Sequence, residues 1–262
     1  MEIRNDTSKN PVKAVLFDFD GTVSTLRCGW EKVMAPLFFE VLDDGKTDKA
    51  LLEKKVADYI DESTGIQTIL QMKWLAGEVE KSGRTPEDIW EYKRMYNDRL
   101  MLEIKRKLEN LAAGKELPEN YLMAGACEFL SALKERGIKI FVASGTDDPD
   151  VKNEAAKLGV IDFFDEIKGA PLHEESCSKE AVIKRLLEEG GYSGDELAVC
   201  GDGKVEIALG KAKGARTIGL ASNERERCGV DETKRARLIA ADADIIVGDF
   251  TEKQELLKFL GL

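Results

Sequence analysis

The 262-residue chain is predicted to be an α/β protein, a doubly wound parallel sheet interrupted by one all-helical insertion. Three patterns carry that expectation. Short runs that are apolar throughout, such as Ala14–Phe17 and Ile138–Ala143, stop at turn residues, as strands buried on both faces do. Beyond Pro118 such runs alternate with segments of helical period, the order of a parallel sheet covered by helices. Between Thr22 and that region, about ninety residues show helical spacing and no strand alternation.

Taken in order, Ala14–Phe17 runs into Asp18-Phe19-Asp20-Gly21-Thr22. Asp18 therefore stands at the carboxyl end of a strand, the edge at which open parallel sheets hold ligands. Asp20 leans to the same side while the chain stays extended, and Gly21 lets the backbone turn away. Helical spacing follows over Trp30–Leu42, Ala50–Ile60, Ile66–Val79 and Pro86–Leu111. Thr85-Pro86-Glu87-Asp88 reads as the start of the last of these, with a capping threonine, a proline in the first turn and acids facing the dipole. Gly114 and Pro118 close the insertion. A helix over Gly125–Arg136 then ends at Gly137, and Ile138–Ala143 is a strand running into Ser144-Gly145-Thr146. Asp148-Pro149 opens a helix that Gly159 ends, Phe163–Ile167 is a short strand, and Ser178-Lys179-Glu180 opens a further helix. Glu196–Cys200 is a strand followed at once by Gly201-Asp202-Gly203 and a helix through Leu209. Thr217–Leu220 and Asp244–Val247 supply two more strands, and the charged stretch from Asn223 to Arg237 reads as a solvated loop and helix.

Composition narrows the function classes. Hydrophobic residues at 43% and charged residues at 34% describe a soluble globular protein, and a formal charge of −11 argues against an unspecific hold on nucleic acid or anionic membrane. A small molecule is the better partner, and an anionic one needs local positive charge. The N-terminus has no apolar signal core and no run approaches membrane-spanning length. Cys28, Cys127, Cys177, Cys200 and Cys228 are odd in number and scattered, as reduced thiols of a cytoplasmic protein are. His173, the single histidine, reads as a loop residue, so histidine chemistry has little to work with.

Four strand ends or helix starts offer polar groups to one edge of the sheet. Asp18 and Asp20 can divide labour as nucleophile and proton carrier, although Asp-Phe-Asp-Gly alone also suits a polar turn. Ser144 offers a hydroxyl, and the amides from Gly145 onward lead into a helix that can hold phosphate oxygens. Lys179 lies in a first helical turn, where the dipole opposes a cation, which suggests that it faces an anion; a solvated surface lysine is the alternative. Asp202 and Glu206 are one helical turn apart, and the simplest remedy for two converging acids is a hard cation, Mg²⁺. Four acids against one lysine still disfavour a phosphate dianion, and Arg27 is the nearest further donor.

In this order, Asp18-Phe-Asp20-Gly21-Thr22, Ser144, Lys179 and Gly201-Asp202-Gly203-Lys-Val-Glu206 resemble the four motifs of the haloacid dehalogenase superfamily. The resemblance implies a Rossmann-like core domain of residues 1–24 and 118–262 with an inserted helical cap of residues 25–117, in the branch of phosphoglycolate phosphatase and β-phosphoglucomutase. It implies an aspartyl-phosphate intermediate and Mg²⁺. Asp18 then corresponds to the nucleophile and a metal ligand. Asp20 corresponds to the general acid and base, also giving its backbone carbonyl to the metal. Ser144, Gly145 and Lys179 would hold the phosphoryl oxygens, with Thr22 supporting the loop beside them. Asp202 would ligate Mg²⁺, and Glu206 would stand behind it or orient Lys179. The dehalogenase and phosphonatase branches lack the second aspartate, whereas Asp20 is present in this chain, so the resemblance favours phosphoryl transfer. The activity implied is hydrolysis of a small phosphorylated metabolite, a sugar phosphate or phosphoglycolate-like ester. A phosphomutase of the β-phosphoglucomutase type and a silent binding protein are the alternatives. Substrate choice is expected in the cap, from Arg27, Thr64 and Gln67, with Trp30 either at the site or in the core.

Overall fold

The computed structural model describes residues 1–5, 10–175 and 178–262, so Cys177 lies outside the described residues. Strands β1 (Glu2–Ile3), β2 (Ala14–Phe17), β3 (Lys139–Asp147), β4 (Glu166–Ala170), β5 (Leu197–Gly201), β6 (Arg216–Leu220) and β7 (Ile245–Val247) form one sheet in the order β1-β7-β6-β5-β2-β3-β4. All pairings are parallel except β1 with β7. The chain builds outward from β2 through β3 to β4, then returns to place β5 on the other side of β2. That reversal opens a crevice at the carboxyl ends of β2 and β5, where doubly wound sheets bind ligands.

The central run is apolar on both faces because both faces are covered. Val15 and Phe17 pack into one hydrophobic cluster, Ala14 and Leu16 into another beneath Val182, Ile183 and Val199. Phe17 meets Phe129 and Phe250 with ring centroids 6.2 Å away in both cases, and those two rings stack at 5.3 Å. Helices α1 (Glu31–Leu42), α2 (Lys49–Glu62), α3 (Thr68–Lys81) and α4 (Ile89–Ala112) form the insertion between β2 and the rest of the sheet. Phe38 of its interior packs against the half-buried Tyr59 and Trp74, whose rings stack 3.7 Å apart and nearly parallel. The remaining helices α5 (Ala126–Glu135), α6 (Asp148–Lys157), α7 (Ser178–Glu188), α8 (Lys204–Ala212), α9 (Glu232–Ala240) and α10 (Lys253–Phe259) flank the sheet. No helix among the described residues is long and apolar enough to cross a membrane.

Several boundaries differ from the expected ones for local reasons. The fourth helix starts at Ile89 and not at Pro86, because Asp88 is the cap: its carboxylate accepts from the Trp90 amide at 2.9 Å. The strand expected over Phe163–Ile167 lies at Glu166–Ala170, since Ile161–Phe163 form a tight turn and pairing with β3 begins only where Asp165 bonds Ile140. β3 continues through Ser144 to Asp147, with a register irregularity against β4 between Ala143 and Asp147. The charged stretch from Asn223 to Arg237 is not simply solvated: α9 carries Lys234 and Arg237 inward, to Asp202 and to Asp61 of α2.

Candidate active site

Register places the site. Phe17 pairs with Cys200 on one side and Val142 on the other, so Asp18 and Asp202, just past β2 and β5, and Ser144 within β3 come to one edge. The Asp18 amide donates to the Cys200 carbonyl at 2.8 Å, which fixes the start of the turn. Gly21 adopts φ +73°, and a Cβ there would stand 2.4 Å from the Asp202 carboxylate, so only glycine allows the two loops to meet.

Asp18, Lys179, Glu206 and Asp202 are all buried. Lys179 Nζ stands 3.2 Å from Asp18 Oδ2 and donates to Glu206 Oε2 at 2.8 Å. The single helical turn expected to carry both Asp202 and Glu206 does not form: α8 starts at Lys204, and Glu206 turns back so that Oε1 accepts from the Gly203 amide at 2.6 Å. Lys179 is shared by Asp18 and Glu206, and Asp202 has a separate ammonium. Lys234 Nζ donates to Asp202 Oδ2 at 2.6 Å.

Asp20 sits across the mouth of the crevice. Its Oδ2 accepts from Thr146 Oγ1 at 2.8 Å and Ser144 Oγ at 3.3 Å, while the Arg27 guanidinium lies 3.9 Å from Oδ1. Arg27 itself is held by Glu154 of α6, with Nη2 donating to Oε1 at 2.6 Å. The guanidinium is therefore spent inside the protein and braces Asp20.

Burial pushes the Asp18 carboxyl well above its usual range; Lys179 opposes the rise, and Glu206, Asp202 and Asp20 add to it. Burial works against the Lys179 charge, but Asp18 and Glu206 outweigh it and the ammonium is held protonated. Burial likewise lifts Glu154 to about 7 against the pull of Arg27. Carboxylate oxygens of Asp18, Asp202 and Glu206 lie within 4.8 Å of one another. An all-oxygen donor set of this kind fits a hard divalent cation, and positive charge there would counter the rise at Asp18.

The helical insertion closes the crevice to a cavity of about 90 Å³. The turn between α2 and α3 reaches down to it: a Cβ on Gly65 would lie 3.0 Å from Glu206 Oε2 and 3.5 Å from Lys179 Nζ, and one on Gly145 would lie 2.9 Å from the Ile66 carbonyl oxygen. Arg27, Trp30, Thr64, Gly65, Ile66, Thr68, Gln71, Tyr96 and Leu100 form the insertion's part of the lining. Among the expected residues, Asp18, Asp20, Arg27, Thr64, Ser144, Gly145, Lys179 and Asp202 all reach the cavity. Glu206 stands behind Lys179. Thr22 is fully buried below the loop, and Gln67 is buried with both amide atoms unbonded, so neither lines the space.

Residues 12–214 match the family model of haloacid dehalogenase-like hydrolases. The chain belongs to this family. No curated protein sequence matches it. Among solved structures it is similar to a predicted phosphatase from Clostridium acetobutylicum (20% identity, 95% of this chain and 100% of that one, TM-score 0.61). It is similar also to a predicted phosphoglycolate phosphatase from Haemophilus somnus (15%, 95% and 99%, 0.63) and to a β-phosphoglucomutase from Clostridium difficile (16%, 95% and 97%, 0.62). At such identities the likeness speaks for the fold. This haloacid dehalogenase-like hydrolase adds residues that the motifs did not bring forward: Thr146 on Asp20, Glu154 on Arg27, and Ser222, Glu224 and Lys234 around Asp202.

Proposed function

We propose that the protein is a Mg²⁺-dependent phosphatase acting on a small phosphorylated metabolite through an aspartyl-phosphate intermediate. The observation that carries this reading is the meeting of Asp18, Asp20, Lys179 and Asp202 around one cavity. Asp18, Asp202 and the Asp20 backbone carbonyl would hold Mg²⁺, which when bound supplies charge neutralisation for phosphoryl oxygens. Asp18 attacks phosphorus; its new P–O bond replaces the ester P–O bond, and the departing alkoxide takes a proton from the Asp20 carboxyl. Asp20 then removes a proton from water as the water oxygen attacks the same phosphorus, and Asp18 leaves. Lys179, Ser144 and the Gly145 amide hold the phosphoryl oxygens, and Thr146 and Arg27 keep Asp20 aimed at the leaving group. The insertion of residues 25–117 acts as a cap over a core of residues 1–24 and 118–262, and it must swing away for substrate to enter.

The cap side of the lining bears on the leaving group. Its one cation, Arg27, is taken by Glu154. A carboxylate on the leaving group, as in phosphoglycolate, finds no unpaired cation there among the described residues, whereas Trp30, Tyr96, Thr68 and Gln71 suit a hydroxylated, uncharged one such as a sugar. The close seating of Gly65 and Ile66 against the site also favours a second reading, a phosphomutase, in which the cap limits the access of water. A panel of phosphate esters assayed with and without Mg²⁺ separates the two: phosphate release marks the phosphatase, isomerisation without release the mutase. Asp18→Asn is expected to abolish turnover with unchanged circular dichroism, and hydrolysis at the wild-type rate by that variant would end the assignment.

A further inference from the structure

Helix α9 begins at Asp231, whose carboxylate accepts from the Lys234 amide at 2.9 Å. Lys234 thus lies in the first turn, where the dipole disfavours a cation. Its side chain is only 11% exposed, and the ammonium reaches three acceptors: Asp202 Oδ2 at 2.6 Å, Glu224 Oε1 at 2.6 Å and Ser222 Oγ at 3.1 Å. That uses all three donors of the group. Ser222 in turn donates to the Gly21 carbonyl at 2.6 Å, so the ammonium sits in a network that joins the loops after β2, β5 and β6. The Asp202 carboxylate is fenced between Gly21 and Lys234. With Oδ2 taken, its other oxygen is left for a ligand.

We propose that Lys234 is a positioning residue for Asp202, fixing Oδ2 so that the second oxygen is presented to Mg²⁺, and that Glu224 cancels the ammonium's charge so that it does not repel the cation. This rests on the reading of Asp202 as a Mg²⁺ ligand. Carboxylates that bind metals are held by partners of this kind, whose loss typically costs about 10–100-fold in metal affinity.

The test is calorimetric titration of MgCl₂ into the full-length chain, read independently of turnover. Lys234→Met combined with Glu224→Gln removes one positive and one negative charge together, so net charge is conserved and positioning alone is lost. That double variant is expected to bind Mg²⁺ about 10–100-fold more weakly while keeping a cooperative thermal transition in chelator. Glu224→Gln alone, a near-isosteric change that keeps Lys234, leaves the ammonium uncancelled and is expected to weaken Mg²⁺ as well. Wild-type or tighter affinity in the double variant would overturn the proposal while leaving Asp202 as ligand intact. If the wild-type chain itself bound no Mg²⁺, or Asp202→Asn bound it equally well, the metal reading would fall and take this proposal with it.

Discussion

Gly145→Ala isolates the contact by which the insertion closes the site. The backbone at Gly145 needs no positive φ, so alanine brings no conformational penalty of its own and retains the amide N–H. The added methyl would lie 2.9 Å from the Ile66 carbonyl oxygen and 3.3 Å from its carbon, both backbone atoms that no side-chain rotation can withdraw. Overpacking of this kind costs about 1–3 kcal/mol. Charged to the closed state alone, that lowers the closed-to-open ratio roughly 5- to 150-fold. The expected result is a fall of that size in kcat/KM on a responsive phosphate ester, with a melting temperature close to wild type because the insertion can stand off. Gly65→Ala, on the other side of the closure, should act in the same direction, since its Cβ would crowd Glu206 and Lys179. Wild-type kcat/KM in Gly145→Ala would show that turnover does not need the seated turn, and the closed-cap reasoning would be lost.

Two further outcomes follow from the buried charges. Lys179→Met leaves Asp18 and Glu206 facing each other without their shared ammonium, which should cost about 3–5 kcal/mol of stability, seen as a large drop in melting temperature that MgCl₂ partly restores; a transition unchanged from wild type would contradict the role of Lys179 as their counter-charge. Glu154 is lifted to about 7 by burial, with Arg27 opposing, while its unfolded value is the ordinary 4.5. A raised folded value means that its contribution is fully present below the unfolded pKa and is lost as pH climbs through about 7. Urea unfolding followed from about pH 5 to 8 should therefore show stability declining, and Glu154→Gln should flatten that slope by up to about 1.4 kcal/mol per pH unit. An identical slope in the variant would mean that Glu154 is ionised throughout.

The sheet was legible wherever burial on both faces left an unbroken apolar run, as in Ala14–Phe17 and Leu197–Gly201. β1 was not, because two residues, Glu2 and Ile3, carry no pattern and are strand only by pairing with Ile245 and Ile246. The shift of the fourth helix start shows two caps competing within four residues. Thr85 and Asp88 both have capping chemistry, and the proline at 86 favours the first, yet it is the Asp88 carboxylate that takes an amide. Local sequence ranks such candidates poorly, since either satisfies the same orphan donors.

The site was legible through residues that end strands, and less so through those that arrive from elsewhere. Lys179 stood out because a cation in a first helical turn opposes the dipole, and the structure places it between two carboxylates. Lys234 also stands in a first helical turn, that of α9 behind the capping Asp231, and the same reasoning applied there would have pulled it out of an otherwise charged stretch. What concealed it was company: flanked by Arg225, Arg227, Arg235 and Arg237, it looked like one of a solvated set. Its neighbours do differ in fate, since Arg235 pairs at the surface with Glu2 while Lys234 is buried on Asp202. A charged run on a short helix thus has to be divided by helical face before it is assigned to solvent, because one face of α9 carries Lys234 onto the buried Asp202.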